Sequence, residues 1–548
     1  MNQTLQQIAD DYWEHRLRTF PTSALMMGDH RYGDRMERAT RIDEDAVVGD
    51  LRAFASAAEQ IDPAELTVDE RISREVLLYV TRTEADDIES RRAELAVNPE
   101  VGFQAMLPVM VPQFPIVEPE HADQLVGKYE GIGRLFREMA DRLRQGVASG
   151  RVPTAALAQK TVEQIDGLDV EAALTATRSP QSFGDAEAAS WMERLVAAIR
   201  QHVVPGLQQF RDTIADEVVP VGRSLEEPGL CWLPGGEEAY ARTVTRHTSL
   251  DKDPEEIHQI GLAQIDALAG EYRALGGEAL GTSDLSEIFG RLRDDPTLHF
   301  DGGPPIVAAS EQAMAKAKGA MADWFGTLPQ SDCVVAETQT GPVAFYFRPA
   351  DDGSRPGTFF VNTSDPSGWG TFEIEAMAYH EGIPGHHLQL AISQELEGVP
   401  DFRRHAFIAA YSEGWGLYTE RLADEMGLYS GPLERMGMLS ADSMRAGRLV
   451  VDTGLHAMGW SRQKAIDFMA ENSPMAVGKI EGEIDRYIGM PGQALSYMLG
   501  RLEIQRLRSE AEDAMGEGFD IKRFHDVVLG SGLVPLPTLA RLVREWAA

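Results

Sequence analysis

The feature that most limits this chain is its periodicity. From residue 1 to about 225 the apolar residues recur at helical rather than alternating spacing, with polar faces rich in Glu, Asp, Arg and Gln. A 3.6-residue period cannot keep one face of a strand dry, so this region is expected to be all helical. Ala122 to Gly146 is one such stretch. Ala186 to Ala215 is another, and there Pro205 should kink or divide the helix, because it has no N–H and crowds the preceding turn. Turn formers from Glu226-Glu227-Pro228-Gly229 to Leu233-Pro234-Gly235-Gly236 mark an expected boundary. It separates an N-terminal helical region, 1–225, from a second region, 226–548, the two packing as one unit. Beyond it Asp253 as N-cap, Pro254 in the first helical position and Glu256 as capping-box partner open another helix.

Charge narrows the partners. The chain has 548 residues with 51 Lys plus Arg against 87 Asp plus Glu, a formal net charge of −36. Such a polyanion repels phosphate backbones and anionic lipid surfaces, which argues against nucleic-acid and membrane roles. Two cysteines, Cys231 and Cys333, allow no disulfide framework and no cysteine-based zinc module. The first residues carry neither a cationic start nor an apolar run, and no stretch approaches the ~18–20 apolar residues that span a bilayer. A cytoplasmic protein is the expectation; its oligomeric state is not legible.

The period changes near residue 334. Val343 to Arg348 and Thr358 to Asn362 are short β-branched or aromatic runs, and Asp351 to Gly357 between them supplies turn formers. This predicts a hairpin in a small antiparallel sheet. Its Thr358 to Asn362 strand either offers an edge to an extended peptide or is fully paired. After a loop, Thr371 to Tyr379 should be a helix leading into the most informative residues of the chain.

His380-Glu381-Gly382-Ile383-Pro384-Gly385-His386-His387 places three of thirteen histidines and one carboxylate in eight positions. In His-Glu-x-x-His helices, imidazoles at i and i+4 share one face and one zinc ion, while the glutamate serves as base toward the metal-bound water. Here four residues separate Glu381 from His386, and an unbroken helix would point the two histidines apart. Pro384 and Gly385 can break it, and a two-residue bulge there would carry His386 to the place of i+4. His386 is thus preferred over His387 as second ligand, and His387 is expected behind the metal or towards the substrate. Alternatively, the histidines merely decorate a helix end. A third ligand is expected in Tyr411 to Glu420, where Glu413 follows His380 by 33 residues in an otherwise apolar and small-residue helix. A carboxylate buried there wants a metal or an arginine; otherwise it is a surface residue beside a tryptophan. Two imidazoles and one carboxylate suit zinc, one per chain.

These segments resemble the gluzincin metallopeptidases, in which two histidines and a glutamate hold zinc. The chain is more closely similar to the bacterial domain-of-unknown-function family DUF885. It shares the His-Glu-x-x-Pro-Gly-His-His-x-Gln pattern at His380 to Gln389, together with Pro21 to Gly28, Asp352 to Gly357, Arg448 to His456 and Met490 to Tyr497. The resemblance implies a large, mainly helical fold with a deep channel and the small sheet beside the metal helix. It also implies a zinc-dependent hydrolase that cleaves short peptides, with Glu381 as base. A metal-dependent hydrolase of another amide or ester, and a non-catalytic helical binding protein with a degenerate site, remain the alternatives.

Further residues support the site. Arg448, Asp452 and His456, at i, i+4 and i+8, form a polar stripe on an apolar helix. The stripe is either a solvated face or a means of holding an oxyanion or substrate carboxylate through His456 or Arg448, with Asp452 orienting Arg448. Pro491 should begin a helix whose first amides, near Gly489 to Gln493, stay free for an anion. Tyr497 is the tyrosine chosen, by the gluzincin resemblance, to stabilise a tetrahedral intermediate; by itself it reads as a packing tyrosine.

Overall fold

The computed structural model describes residues 2–339, 341–350 and 355–548; the expected hairpin turn at 351–354 lies outside them. The chain is mainly helical with one small sheet, and it divides into two compact units. One unit comprises Gln6–Gln60 and Val80–Arg242; the other comprises Met1–Leu5, Ile61–Tyr79 and Thr243–Ala548. The turn-rich segment at 226–236 therefore lies inside the first unit, and Ile61–Tyr79 packs with the second.

The first unit is built on helix α1, Pro119–Ser149, whose proline opens it and whose Glu118 and His121 cap it reciprocally. Trp191 Nε1 donates to the Ala122 carbonyl at 2.8 Å, and Tyr129 Oη to that of Leu174 at 2.6 Å, so the large aromatics of this core bury no unpaired donor. Pro205 divides its helical stretch as expected. Helix α2, Asp185–Ala198, runs through a π-helical turn at Ile199–Val203 into α3, Val204–Thr213. The wider turn absorbs the backbone bond that the proline cannot make.

In the second unit Asp253 accepts the Glu255 N–H at 2.8 Å and caps α4, Pro254–Ala279. The sheet has strands β1, Cys333–Thr338, β2, Ala344–Phe347, and β3, Gly357–Asn362, in the order β1-β3-β2. The predicted hairpin is present, with β2 antiparallel to β3 and Phe347 opposite Thr358. The sheet is mixed, not antiparallel, because β1 pairs parallel to β3. The β3 backbone is consequently bonded on both sides and offers no edge to a peptide.

Six helices surround the histidines: α5, Ile374–Glu381; α6, His386–Gln394; α7, Ala409–Glu425; α8, Pro432–His456; α9, Val477–Gly489; and α10, Ser496–Met515. Helix α4 packs on α8, and α7 crosses α10 so closely that a Cβ on Gly414 would stand 2.5 Å from the Gly500 backbone.

Candidate metal centre

The two histidines sit on either side of a break. Helix α5 stops at Glu381 and α6 restarts at His386, so the interruption is a full stop and restart across Gly382–Gly385 and not the two-residue bulge of a continuous helix. Pro384 has no N–H to continue the ladder. Gly385 passes directly beneath the carbonyls of Tyr379 and His380, where a Cβ would have no room. Helix α7 holds both sides of the break: Thr419 Oγ1 donates to the Tyr379 carbonyl at 3.0 Å, and Trp415 Nε1 to that of Pro384 at 3.0 Å.

This arrangement brings His380, His386 and Glu413 together, with one donor atom from each lying within 4.8 Å of the others. Glu413 Oε2 is 3.4 Å from His386 Nε2 and 3.7 Å from His380 Nε2. His380 and His386 are buried and their rings meet edge to face, with centroids 4.8 Å apart. Burial alone would raise the Glu413 carboxyl, but the His380 and His386 rings beside it hold it well below the ordinary carboxylate range. Burial likewise disfavours the charged His380 ring, yet Glu413 and Glu420 outweigh it and raise its pKa to about 9. Glu381, at the end of α5, is half-buried, and its carboxylate has no hydrogen bond or ion pair among the described residues.

His387 faces the other way. Its Nε2–H donates to the Ser331 carbonyl at 3.1 Å, which leaves Nδ1 to accept from Tyr346 Oη on β2 at 2.9 Å. Burial then lowers its pKa to about 4, so it is a neutral strut to the sheet.

The polar stripe on α8 is fully buried, so it is no solvated face. Arg448 Nε meets Tyr487 Oη and Nη2 meets Glu483 Oε2, both at 2.8 Å. Asp452 takes the Gly492 N–H on both oxygens, at 3.0 and 3.1 Å, so that amide is not free for an external anion. Pro491 lies in the turn between α9 and α10, not at a helix start. His456 Nε2 contacts the Tyr487 carbonyl at 3.0 Å and has no place in the triad. Tyr497 does stand beside it, its ring stacked 6.4 Å from that of His380. Burial and the Glu413 charge push its hydroxyl pKa up, keeping it protonated.

Among curated proteins none matches the chain. The family described as "Bacterial protein of unknown function (DUF885)" matches residues 21–543. The chain belongs to DUF885. Among solved structures this DUF885 chain is similar to a candidate lipoprotein from Colwellia psychrerythraea, with 26% identity, a TM-score of 0.92 and 99% of each chain covered. It shares the fold of a candidate lipoprotein of unknown function from Shewanella oneidensis, at 20% identity and a TM-score of 0.76 over 98% of this chain and 99% of that one. No described helix of the DUF885 chain is long and apolar enough to cross a membrane.

Two further groups at the DUF885 centre escape a reading of the sequence. Glu420 Oε1 lies 2.8 Å from His380 Nδ1, so one carboxylate orients the imidazole whose other nitrogen faces Glu413. Gly416 makes room for the same ring, since a Cβ there would stand 2.7 Å from Cε1. Glu413, Gly416 and Glu420 occupy i, i+3 and i+7 on one face of a buried helix, the signal that could have found them. The donor set fits a divalent ion. Tetrahedral zinc with ~2.0–2.1 Å bonds spaces its ligand atoms at about 3.4 Å, close to the two Glu413 distances. A carboxylate behind a histidine is the usual support of a metal-binding imidazole. His386 Nδ1 is buried with no hydrogen-bond partner among the described residues, so this ring lacks the carboxylate support that Glu420 gives His380.

Proposed function

We propose that the protein is a metal-dependent hydrolase, with zinc held by His380, His386 and Glu413 and short peptides as substrates. The observation that carries this reading is the placement of Glu381: a half-buried carboxylate with no hydrogen bond or ion pair among the described residues, contiguous with the first histidine of a His-His-Glu set. A structural metal site needs no such base. A bound ion would supply a Lewis acid for the carbonyl and make water acidic enough to attack near neutral pH. Glu381 would take the proton of the attacking water and pass it to the leaving amine. Tyr497, kept protonated beside Glu413, would donate to the carbonyl oxygen as charge develops there. Glu420 would hold His380 in one orientation throughout. A gluzincin-like helical channel is part of the reading, and it favours short or unfolded peptides over folded proteins.

The same residues would serve another amide or an ester, and the test separates the two. The zinc-loaded protein is offered a peptide library and a panel of small amides and esters, with products read by mass spectrometry. Cleaved peptides support the peptidase; turnover confined to the small panel supports the alternative. Glu381→Gln should keep its zinc and lose ~10²–10⁴-fold in rate. A rate near wild type refutes the mechanism. A cytoplasmic location remains part of the proposal, on the two free cysteines; the lipoprotein names of the similar structures support export instead.

A further inference from the structure

In a chain with net charge −36, two arginines flank one tyrosine beside the triad, and a third stands next to them. The Arg448 guanidinium lies 4.6 Å from the Tyr497 ring centre and that of Arg445 lies 5.8 Å from it. Arg486 Nη1 reaches Gln493 Oε1 at 2.8 Å. Too few negative charges answer them. Glu483 Oε2 is shared by Arg448 at 2.8 Å and Arg486 at 2.9 Å. Glu420 Oε1 is 3.9 Å from Arg445 and already engaged by His380. Arg445 and Arg448 are more than nine-tenths buried, and Arg445 Nε and Arg448 Nη1 have no hydrogen-bond partner among the described residues. Each such donor costs ~1–3 kcal/mol while it stays unpaired, a cost that a carboxylate bound between the two guanidiniums would remove.

We propose that this cluster receives the carboxylate of a peptide's free C-terminus, so that the protein releases short fragments from C-terminal ends. The inference rests on the hydrolase reading and names its substrate class. A planar guanidinium matches a carboxylate donor for acceptor, and Arg448 has donors to spare. One aromatic ring separates it from His380, in steps of 4.6 and 6.4 Å. At ~3.3–3.6 Å per extended residue, the bound carboxylate lies within about three residues of a bond held at the triad. The reaction is plain hydrolysis: water oxygen joins the carbonyl carbon, the C–N bond breaks, and the released amine gains the proton that Glu381 removed. Solvent reaches this side, because Glu413, Glu483, Arg486, Gln493 and Tyr497 are all only half-buried.

The test compares N-acetyl-Ala-Phe as free acid and as amide, by calorimetry on full-length, zinc-loaded Glu381→Gln protein. The acid should bind at least ~10-fold more tightly, and Arg448→Gln in the same background should remove the preference. Equal affinity, or no acid binding at millimolar concentration, overturns the proposal. Wild-type enzyme provides a second readout that needs no variant. Peptides with free C-termini should lose one to three residues, and their amidated forms should be cut at least ~10-fold more slowly. Internal cleavage indifferent to amidation overturns the carboxylate site and leaves the hydrolase standing. Preferential acid binding with no peptide cut keeps the site and overturns the hydrolase.

Discussion

Gly416→Ala puts the centre under the most direct strain. The new methyl would lie 2.7 Å from His380 Cε1, 2.8 Å from Nε2 and 3.0 Å from Nδ1, against ~3.5–4.0 Å for comfortable contact. The ring must retreat by roughly 0.8 Å, yet its Nδ1 is bonded to Glu420 at 2.8 Å. Zinc–ligand distances tolerate only about ±0.2 Å, so one ligand is lost or badly placed and zinc affinity should fall at least ~10-fold, or ~1.4 kcal/mol. Stability should change much less. Overpacking costs ~1–3 kcal/mol, while replacing a mid-helix glycine returns up to ~1 kcal/mol. Competition against a chromophoric chelator reads the first quantity and urea unfolding of metal-free protein the second. Gly319→Ala, on the exposed face of the helix Gly303–Trp324 with nothing within 4 Å, is the control and should leave zinc binding unchanged. Zinc affinity in Gly416→Ala equal to wild type would refute the placement of His380 in the centre.

Metal-free protein should be most stable near pH 6.5. His380, raised to about 9, contributes fully below its ordinary ~6.5 and loses that contribution as pH climbs through 9; His387 and His525, lowered to about 4, lose theirs as pH falls from ~6.5 towards 4. Urea midpoints measured across pH 4–10 check both limbs, and a flat alkaline limb contradicts the His380 environment. His386→Ala should abolish tight zinc binding, whereas His387→Ala should retain zinc and lose ~1–3 kcal/mol of stability by leaving Tyr346 Oη unpaired; chelator competition and urea unfolding separate the two, and the reverse pattern would exchange their roles.

What the sequence made legible is what local chemistry dictates. The helical period, the division at Pro205, the Asp253 cap and the β2–β3 hairpin all follow from residues close together in the chain. So does the approach of His380 to His386, since Pro384 and Gly385 had to break the helix somewhere between them, whereas Glu413 joins them by tertiary packing and was legible only as a carboxylate in an apolar helix. The parallel pairing of β1 was hidden because its partner is the third strand, with no local turn to announce it. Glu420 was hidden because a glutamate two turns beyond Glu413 looks like any solvated charge until the helix is known to be buried. The stripe Arg448, Asp452 and His456 was seen, but its targets, Glu483, Tyr487 and Gly492, lie on α9 and the turn after it, and only tertiary packing brings them there.

The crossing of Gly414 and Gly500 acts on the site as a locating pin. Glu413 is one residue from the pin on α7, and Tyr497 is three residues from it on α10, lever arms of ~1.5 and ~4.5 Å. Angular play between the two long helices is therefore hardly magnified at the carboxylate and the phenol, whereas at the far ends of the same helices it would grow several-fold. The distance between Glu413 and Tyr497 is thus set where the two backbones touch, and Arg508 of α10, bonded to Glu425 at the end of α7 at 2.8 and 3.0 Å, closes the far end of the same lever.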